Sequence, residues 1–162
     1  PRPIGIVESG HAGTIAFTQG RLNVGEPMSP PLTRAVKARR KPEAIALLDA
    51  PPGTSCPVVA TVRGADFVVL VTEPTTFGLH DLTLAVDTLR SMGLPLGVVV
   101  NRADEDRRVH VYCHSQSIPV LAELPEDRRV AETYARGDLL FDRLPEWRGH
   151  FEKLWARIEE RL

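Results

Sequence analysis

Apolar residues fall along this chain in two kinds of run. Short stretches that are apolar nearly throughout, bounded by Gly, Pro, Asp or Asn, predict strands covered on both faces. These are Ala44–Asp49, Asp66–Glu73 (DFVVLVTE), Leu96–Asn101 (LGVVVN) and Ile118–Glu123. Stretches with apolar residues at helical spacing lie between them. One helix is expected from Pro30 to about Arg40, opened by prolines and stopped by Pro42. A short one spans Cys56–Arg63. Gly78–Met92 carries Leu79, Leu82, Ala85, Val86 and Leu89 on one face, with Gly93 as its C-cap. Asp104–Ser117, Asp127–Ala135 and Leu144–Leu162 complete the set, the last with Trp147, Phe151, Leu154, Trp155, Ile158 and Leu162 on one side. Strands alternating with helices imply right-handed crossovers and a parallel sheet, an α/β fold. The segment Ile4–Gly20 differs. It reads as a β-hairpin, Ile4–Glu8 with Thr14–Thr18, turning around Gly10–Gly13. A loop rich in Gly and Pro follows it, so the expected boundary lies near Gly25. That gives an extension at 1–24 and an α/β portion at 25–162.

Composition changes this picture little. The 162 residues suffice for one domain with a sizeable core, and 43% hydrophobic with 25% charged residues is ordinary for a globular protein. A formal net charge of −1 gives no basic signal for nucleic acid. The run Arg34, Lys37, Arg39, Arg40, Lys41 reads as a solvated helix face. No apolar stretch reaches the roughly 18 residues of a membrane span, and no transmembrane segment is expected. Two cysteines, Cys56 and Cys113, form neither a metal-ligand pair nor a disulfide framework, which points to a reducing cytoplasm. The chain starts at Pro1 within strand-like sequence, and the expectation is a portion of something longer.

Candidate chemistry gathers where the strands end. Asp49 is expected at the carboxyl end of a strand, followed by Pro51, Pro52 and Gly53. Open α/β sheets place ligands at that edge. A carboxylate there can hold a nucleotide-bound Mg²⁺, directly or through water, and Gly53 allows a backbone N–H to approach a terminal phosphate. The alternative is an acidic cap for the next helix. No glycine-lysine phosphate loop occurs in the sequence. Asn101 closes another strand; its carboxamide can donate to and accept from a purine edge, or can simply stabilise a turn. Glu73 and Pro74 end a strand and either line the same edge or only terminate it. Pro125 lies in a strand-to-helix turn with Asp127 as N-cap. His80 and Asp81 are expected at a helix start, Asp81 favourably placed in the helix dipole. Cys56 reads as a small packed residue at a helix start.

The segment Asp49-Ala50-Pro51-Pro52-Gly53-Thr54-Ser55-Cys56-Pro57 resembles the switch II region of MinD/ParA/Mrp-type deviant-Walker ATPases. Gly25-Glu26-Pro27 with Ser29, Thr72-Glu73-Pro74 with Phe77-Gly78-Leu79-His80-Asp81, Asn101-Arg102 and Leu124-Pro125-Glu126-Asp127 extend the likeness over about Arg21 to Leu140. It is most similar to the MinD-superfamily branch that carries an inserted ferredoxin domain. The resemblance implies the C-terminal part of a P-loop NTPase-like sheet. It implies ATP or ADP and Mg²⁺ as cofactors of a longer parent, with Asp49 and Gly53 as switch residues and Asp49 holding Mg²⁺ through water. Asn101 and Pro125 would hold adenine, with Glu73 and Pro74 beside them. It also implies a homodimer, and an iron–sulfur or redox partner, an iron–sulfur cluster having a place only on a missing insert. Because the phosphate cradle lies upstream of this sequence in the family, the chain alone is expected to bind ATP weakly or not at all and not to hydrolyse it. The competing reading is a non-catalytic protein-binding module with a degenerate NTPase-like fold. Cobyrinic acid a,c-diamide synthases share the fold, but their glutaminase domain is not found in this sequence.

Overall fold

A computed structural model describes residues 2–162. The chain divides into two compact units, one ending at Gly64 and one spanning Ala65–Leu162.

The first unit opens with strands β1 (Gly5–Ala12) and β2 (Ile15–Leu22), paired antiparallel from Gly5↔Leu22 to Ala12↔Ile15. The hairpin is longer than the sequence pattern indicates, and it turns at Gly13–Thr14 rather than across Gly10–Gly13. Gly13 has φ 58°, the left-handed conformation that a two-residue turn needs at its first central position. Helix α1 (Pro30–Lys37) packs on this ribbon at Gly20, where an added Cβ would lie 2.8 Å from Leu32 Cγ. Helix α2 (Cys56–Val62) is tied to α1 by Lys37, whose Nζ donates to the carbonyls of Ala60, Thr61 and Arg63 at 3.2, 2.7 and 2.7 Å. Partial burial, and then the charges of Arg40 and Arg63, lower the Lys37 pKa.

The expected strand Ala44–Asp49 does not form. The segment has no regular structure, with Ile45 72% and Leu47 88% exposed. A strand is completed only by a neighbour that takes up its N–H and C=O groups. Among the described residues this segment has no strand partner.

The second unit holds the parallel sheet, in order β3 (Val68–Thr72), β4 (Leu96–Ala103), β5 (Val120–Pro125). Helices cover both faces. Leu82, Val86, Val98, Val100, Val109, Cys113 and Ile118 form one core, where α3 (Thr76–Ser91) and α4 (Arg108–Ser115) meet the sheet. Val99, Leu121 and Ala122 form the other, packed against Leu154 and Ile158 of α7 (Arg148–Glu159). Gly97 makes room for Leu121, since an added Cβ there would sit 2.7 Å from a Leu121 methyl. A third cluster joins Leu140 of α6 (Leu140–Arg143) to Leu144 and Trp147. Three helices begin elsewhere than the pattern indicates. The terminal one, expected from Leu144, starts as an α-helix only at Arg148, after a 3-10 turn over Pro145–Trp147. Capped by Thr75 Oγ1, which accepts from the Gly78 N–H at 2.9 Å, α3 starts before Gly78. The fourth starts later than Asp104, because Asp104 and Asp106 accept from the Asp106 and Arg108 N–H groups and hold the preceding residues in turns.

Candidate functional site

In a parallel sheet the carboxyl ends of the strands gather at one edge, where α/β folds bind ligands. In the second unit that edge is built from the ends of β3, β4 and β5. Strand β3 passes through Thr72 into Glu73 and buried Pro74. Thr72 Oγ1 donates to the Gly78 carbonyl at 2.9 Å, and a Cβ on Gly78 would collide with the Glu73 carbonyl. Glycine at this position therefore lets α3 start against the strand end.

Strand β4 does not end smoothly. Its register with β5 runs Val100↔Glu123 and then Ala103↔Pro125, so β4 carries one extra residue over Asn101–Arg102. This is a β-bulge, a device that re-aims a side chain beside a site. Arg102 takes φ 51°, a left-handed conformation that costs a residue with a Cβ. Its guanidinium holds Glu126 in a fork, Nε–Oε2 2.5 Å and Nη2–Oε1 3.2 Å, and lies 3.5 Å from the Glu73 carboxylate. The hydrogen bond with Glu126, and the charges of Glu126 and Glu73, raise the Arg102 pKa; the same bond lowers that of Glu126. Asn101 is half-buried, and among the described residues its carboxamide has no hydrogen-bond partner. Pro125 is exposed at the end of β5.

Helix α5 (Arg128–Ala135) follows immediately. Asp127 caps it as expected, accepting from the Arg129 N–H at 2.9 Å. The Arg129 side-chain hydrogen bond, outweighing partial desolvation, holds the Asp127 pKa down to about 2. Nearby, Glu123 on β5 accepts from Arg107 at 3.1 Å and pairs with His110 Nε2 at 2.8 Å. Burial pushes the Glu123 pKa up, but His110 and Arg107 together bring it below its ordinary value. His110 Nδ1 is buried without a partner among the described residues.

The structure thus brings Glu73, Pro74, Asn101 and Pro125 to one edge of one unit. Asp49 and Gly53 belong to the other unit. Asp49 is exposed in the irregular segment, not at a strand end, and Gly53 has φ 89° with nothing within 4 Å of where its Cβ would be. Cys56 starts α2 but is exposed rather than packed. Cys113 is the packed thiol, and burial raises its pKa to about 11. His80 and Asp81 are exposed in the second turn of α3, beyond the reach of the helix N-terminus. Among the described residues no cluster of three or more His, Cys, Asp or Glu is placed to hold a metal, and no helix is long and apolar enough to cross a membrane. The Arg102–Glu126–Glu73 bridge escapes sequence reasoning, because a left-handed arginine and a bulge in a parallel pair leave no pattern in apolar spacing.

Comparison with known proteins places the fold. No family model matches the chain. Two uncharacterized proteins of Methanocaldococcus jannaschii are similar to it. MJ0579 is 29% identical over 121 residues, covering 74% of this chain and 42% of its own length. MJ0578 is 26% identical over 127 residues, covering 77% and 46%. The chain therefore spans less than half the length of these relatives. Among solved structures, the cell division ATPase MinD of Pyrococcus furiosus superposes with a TM-score of 0.66 at 28% identity, covering 81% of this chain and 58% of that one. The MinD cell division protein of Aquifex aeolicus gives 0.63 at 17% identity, covering 87% and 63%. A plasmid partition protein of Borrelia burgdorferi, bound to AMPPNP, gives 0.59 at 14% identity, covering 81% and 56%. The chain has a MinD-like nucleotide-binding α/β fold.

Proposed function

We propose that this chain supplies the adenine-reading wall and the switch segment of a MinD/ParA-type ATP-binding domain, whose phosphate cradle comes from residues outside this sequence. The observation that carries the reading is Asn101, a half-buried carboxamide without an internal partner, placed by a bulge at the carboxyl edge of a parallel sheet. An amide there can donate to and accept from the Watson–Crick or Hoogsteen edge of a purine, which a hydrophobic residue cannot do. Pro125, exposed at the next strand end, offers an apolar surface and a carbonyl beside it. Pro74 and Glu73 border the same edge. When bound, Mg²⁺ would neutralise charge on the nucleotide's phosphates, and Asp49 is the carboxylate to hold it through water. Gly53, free to adopt a left-handed backbone, can present its N–H to a terminal phosphate. In this reading the full protein is a homodimer that couples ATP binding to association.

The adenine wall lies within one unit, so it can be tested with a ligand that needs no phosphate cradle. Adenosine titrated into the isotope-labelled chain is expected to shift resonances around Asn101 and Pro125 at millimolar concentrations, with guanosine binding more weakly. Asn101→Ala is expected to abolish the preference. Equal responses to both nucleosides in the wild-type chain, or shifts confined to another surface, would reject the adenine reading.

A second reading, a protein-binding module, draws support from the apolar residues left uncovered. Ile45 and Leu47 are exposed in the irregular segment of the first unit, and Val71 on the β3 edge strand is 63% exposed. An unpaired edge strand such as β3 is a place where another chain can add. Adenosine indifference combined with self-association would favour it.

A further inference from the structure

Arg102 adopts a conformation that its own ion pairs do not account for. Its guanidinium is more than half exposed, as is Glu126, and exposed pairs contribute little to stability. A left-handed backbone at a residue with a Cβ works against stability as well. Yet the arrangement is specific. The guanidinium fork takes both Glu126 oxygens, which lie just beyond β5, and its third nitrogen faces Glu73, just beyond β3. Arg102 itself stands in the β4 bulge beside Asn101. One side chain thus links the ends of all three strands at the ligand edge. Lysine could not do so, having no planar fork. Arg108 Nη1 also donates to Thr76 Oγ1 at 2.6 Å and joins the starts of α4 and α3, which follow β4 and β3.

We infer that Arg102 is a positioning residue: by clasping Glu126 and facing Glu73, it fixes the β4 bulge and thereby aims the Asn101 carboxamide toward the purine. Glu126 is the other half of the device, holding the Pro125 turn at a set distance from Asn101. The inference rests on the adenine reading. It does not place Arg102 or Glu126 in contact with the base, and it makes the two act as one unit.

Affinities for adenosine and guanosine, measured by resonance shifts on the whole chain, test this with Arg102→Ala, Glu126→Ala, the double variant and Asn101→Ala. Each clasp variant is expected to lower adenosine affinity by roughly tenfold, the scale of coupling within one hydrogen-bonded network. Guanosine affinity should stay unchanged. The double variant should be no worse than either single one. The Asn101 side-chain amide resonance should move in both single variants before any ligand is added. A merely structural role would instead weaken both nucleosides alike and leave that resonance in place. If the wild-type chain prefers adenosine, Asn101→Ala loses the preference and the clasp variants keep it, the inference is overturned while the adenine reading stands. If the wild-type chain shows no preference, the adenine reading fails and the inference falls with it.

Discussion

At the scale of single residues, two carboxylates at adjacent positions serve different purposes. Glu126 is held by Arg102, whereas Asp127 caps α5 and pairs with Arg129 at 2.6 Å. Asp127 has a depressed pKa of about 2 in the folded chain. Unfolded, it would titrate near the ordinary aspartate value of about 3.9. Its contribution to stability is therefore complete above about pH 4 and is lost as pH falls toward 2. Asp127→Asn keeps a capping oxygen but cannot titrate. Acid titration followed by circular dichroism should show a smaller loss of stability between pH 4 and pH 2 for this variant than for the wild-type chain. Parallel curves would mean that other carboxylates carry the acid response.

At the scale of elements, the second unit depends on tight approaches across β4. Leu121 is 1% exposed, packs beneath Gly97, and lies in the extra residue that β5 inserts between Val120 and Ala122. Leu121→Ala should cost about 2–5 kcal/mol, the range for a buried leucine that leaves a cavity. Thr75→Ala, which removes only the α3 cap, should cost about 1 kcal/mol. Chemical denaturation of the two variants would rank them. The reverse order would show that the α3 start, with the strand end it braces, matters more than the packed layer. Exposed Cys56 and buried Cys113 give a companion contrast, since only the former should react readily with a thiol reagent in the folded chain.

At the scale of the whole molecule, the chain spans 58% of the MinD structure it resembles and holds no glycine-lysine loop. Backbone N–H groups and the lysine of such a loop supply most of the grip on a triphosphate. Phosphate release from ATP by the purified chain is expected to equal that of a mock preparation. Turnover above that level would mean that a cradle is formed by residues assigned here to other tasks. The uncovered Ile45, Leu47 and Val71 make self-association the expected state at high concentration.

The hydrophobic pattern by itself determined the α/β class, the three paired strands and the helices around them. A buried parallel strand such as Leu96–Asn101 is apolar almost throughout, and an amphipathic helix such as α3 repeats its apolar face every turn. Local chemistry also identified the Asp127 cap, because capping is decided within one turn of chain. The sequence pattern misjudged Ala44–Asp49. Its composition suits a strand, but strand formation is settled by a neighbour that no local signal encodes. The hairpin length escaped for the same reason, since cross-strand pairing carried β1 past Gly10 to the turn at Gly13. Only the tertiary structure decided the candidate site's geometry. Asn101, Glu73 and Pro125 lie far apart along the chain and meet because parallel strands end together. The clasp that Arg102 makes across them depends on a bulge created by the register of β4 on β5, a relation between strands and not a property of either one.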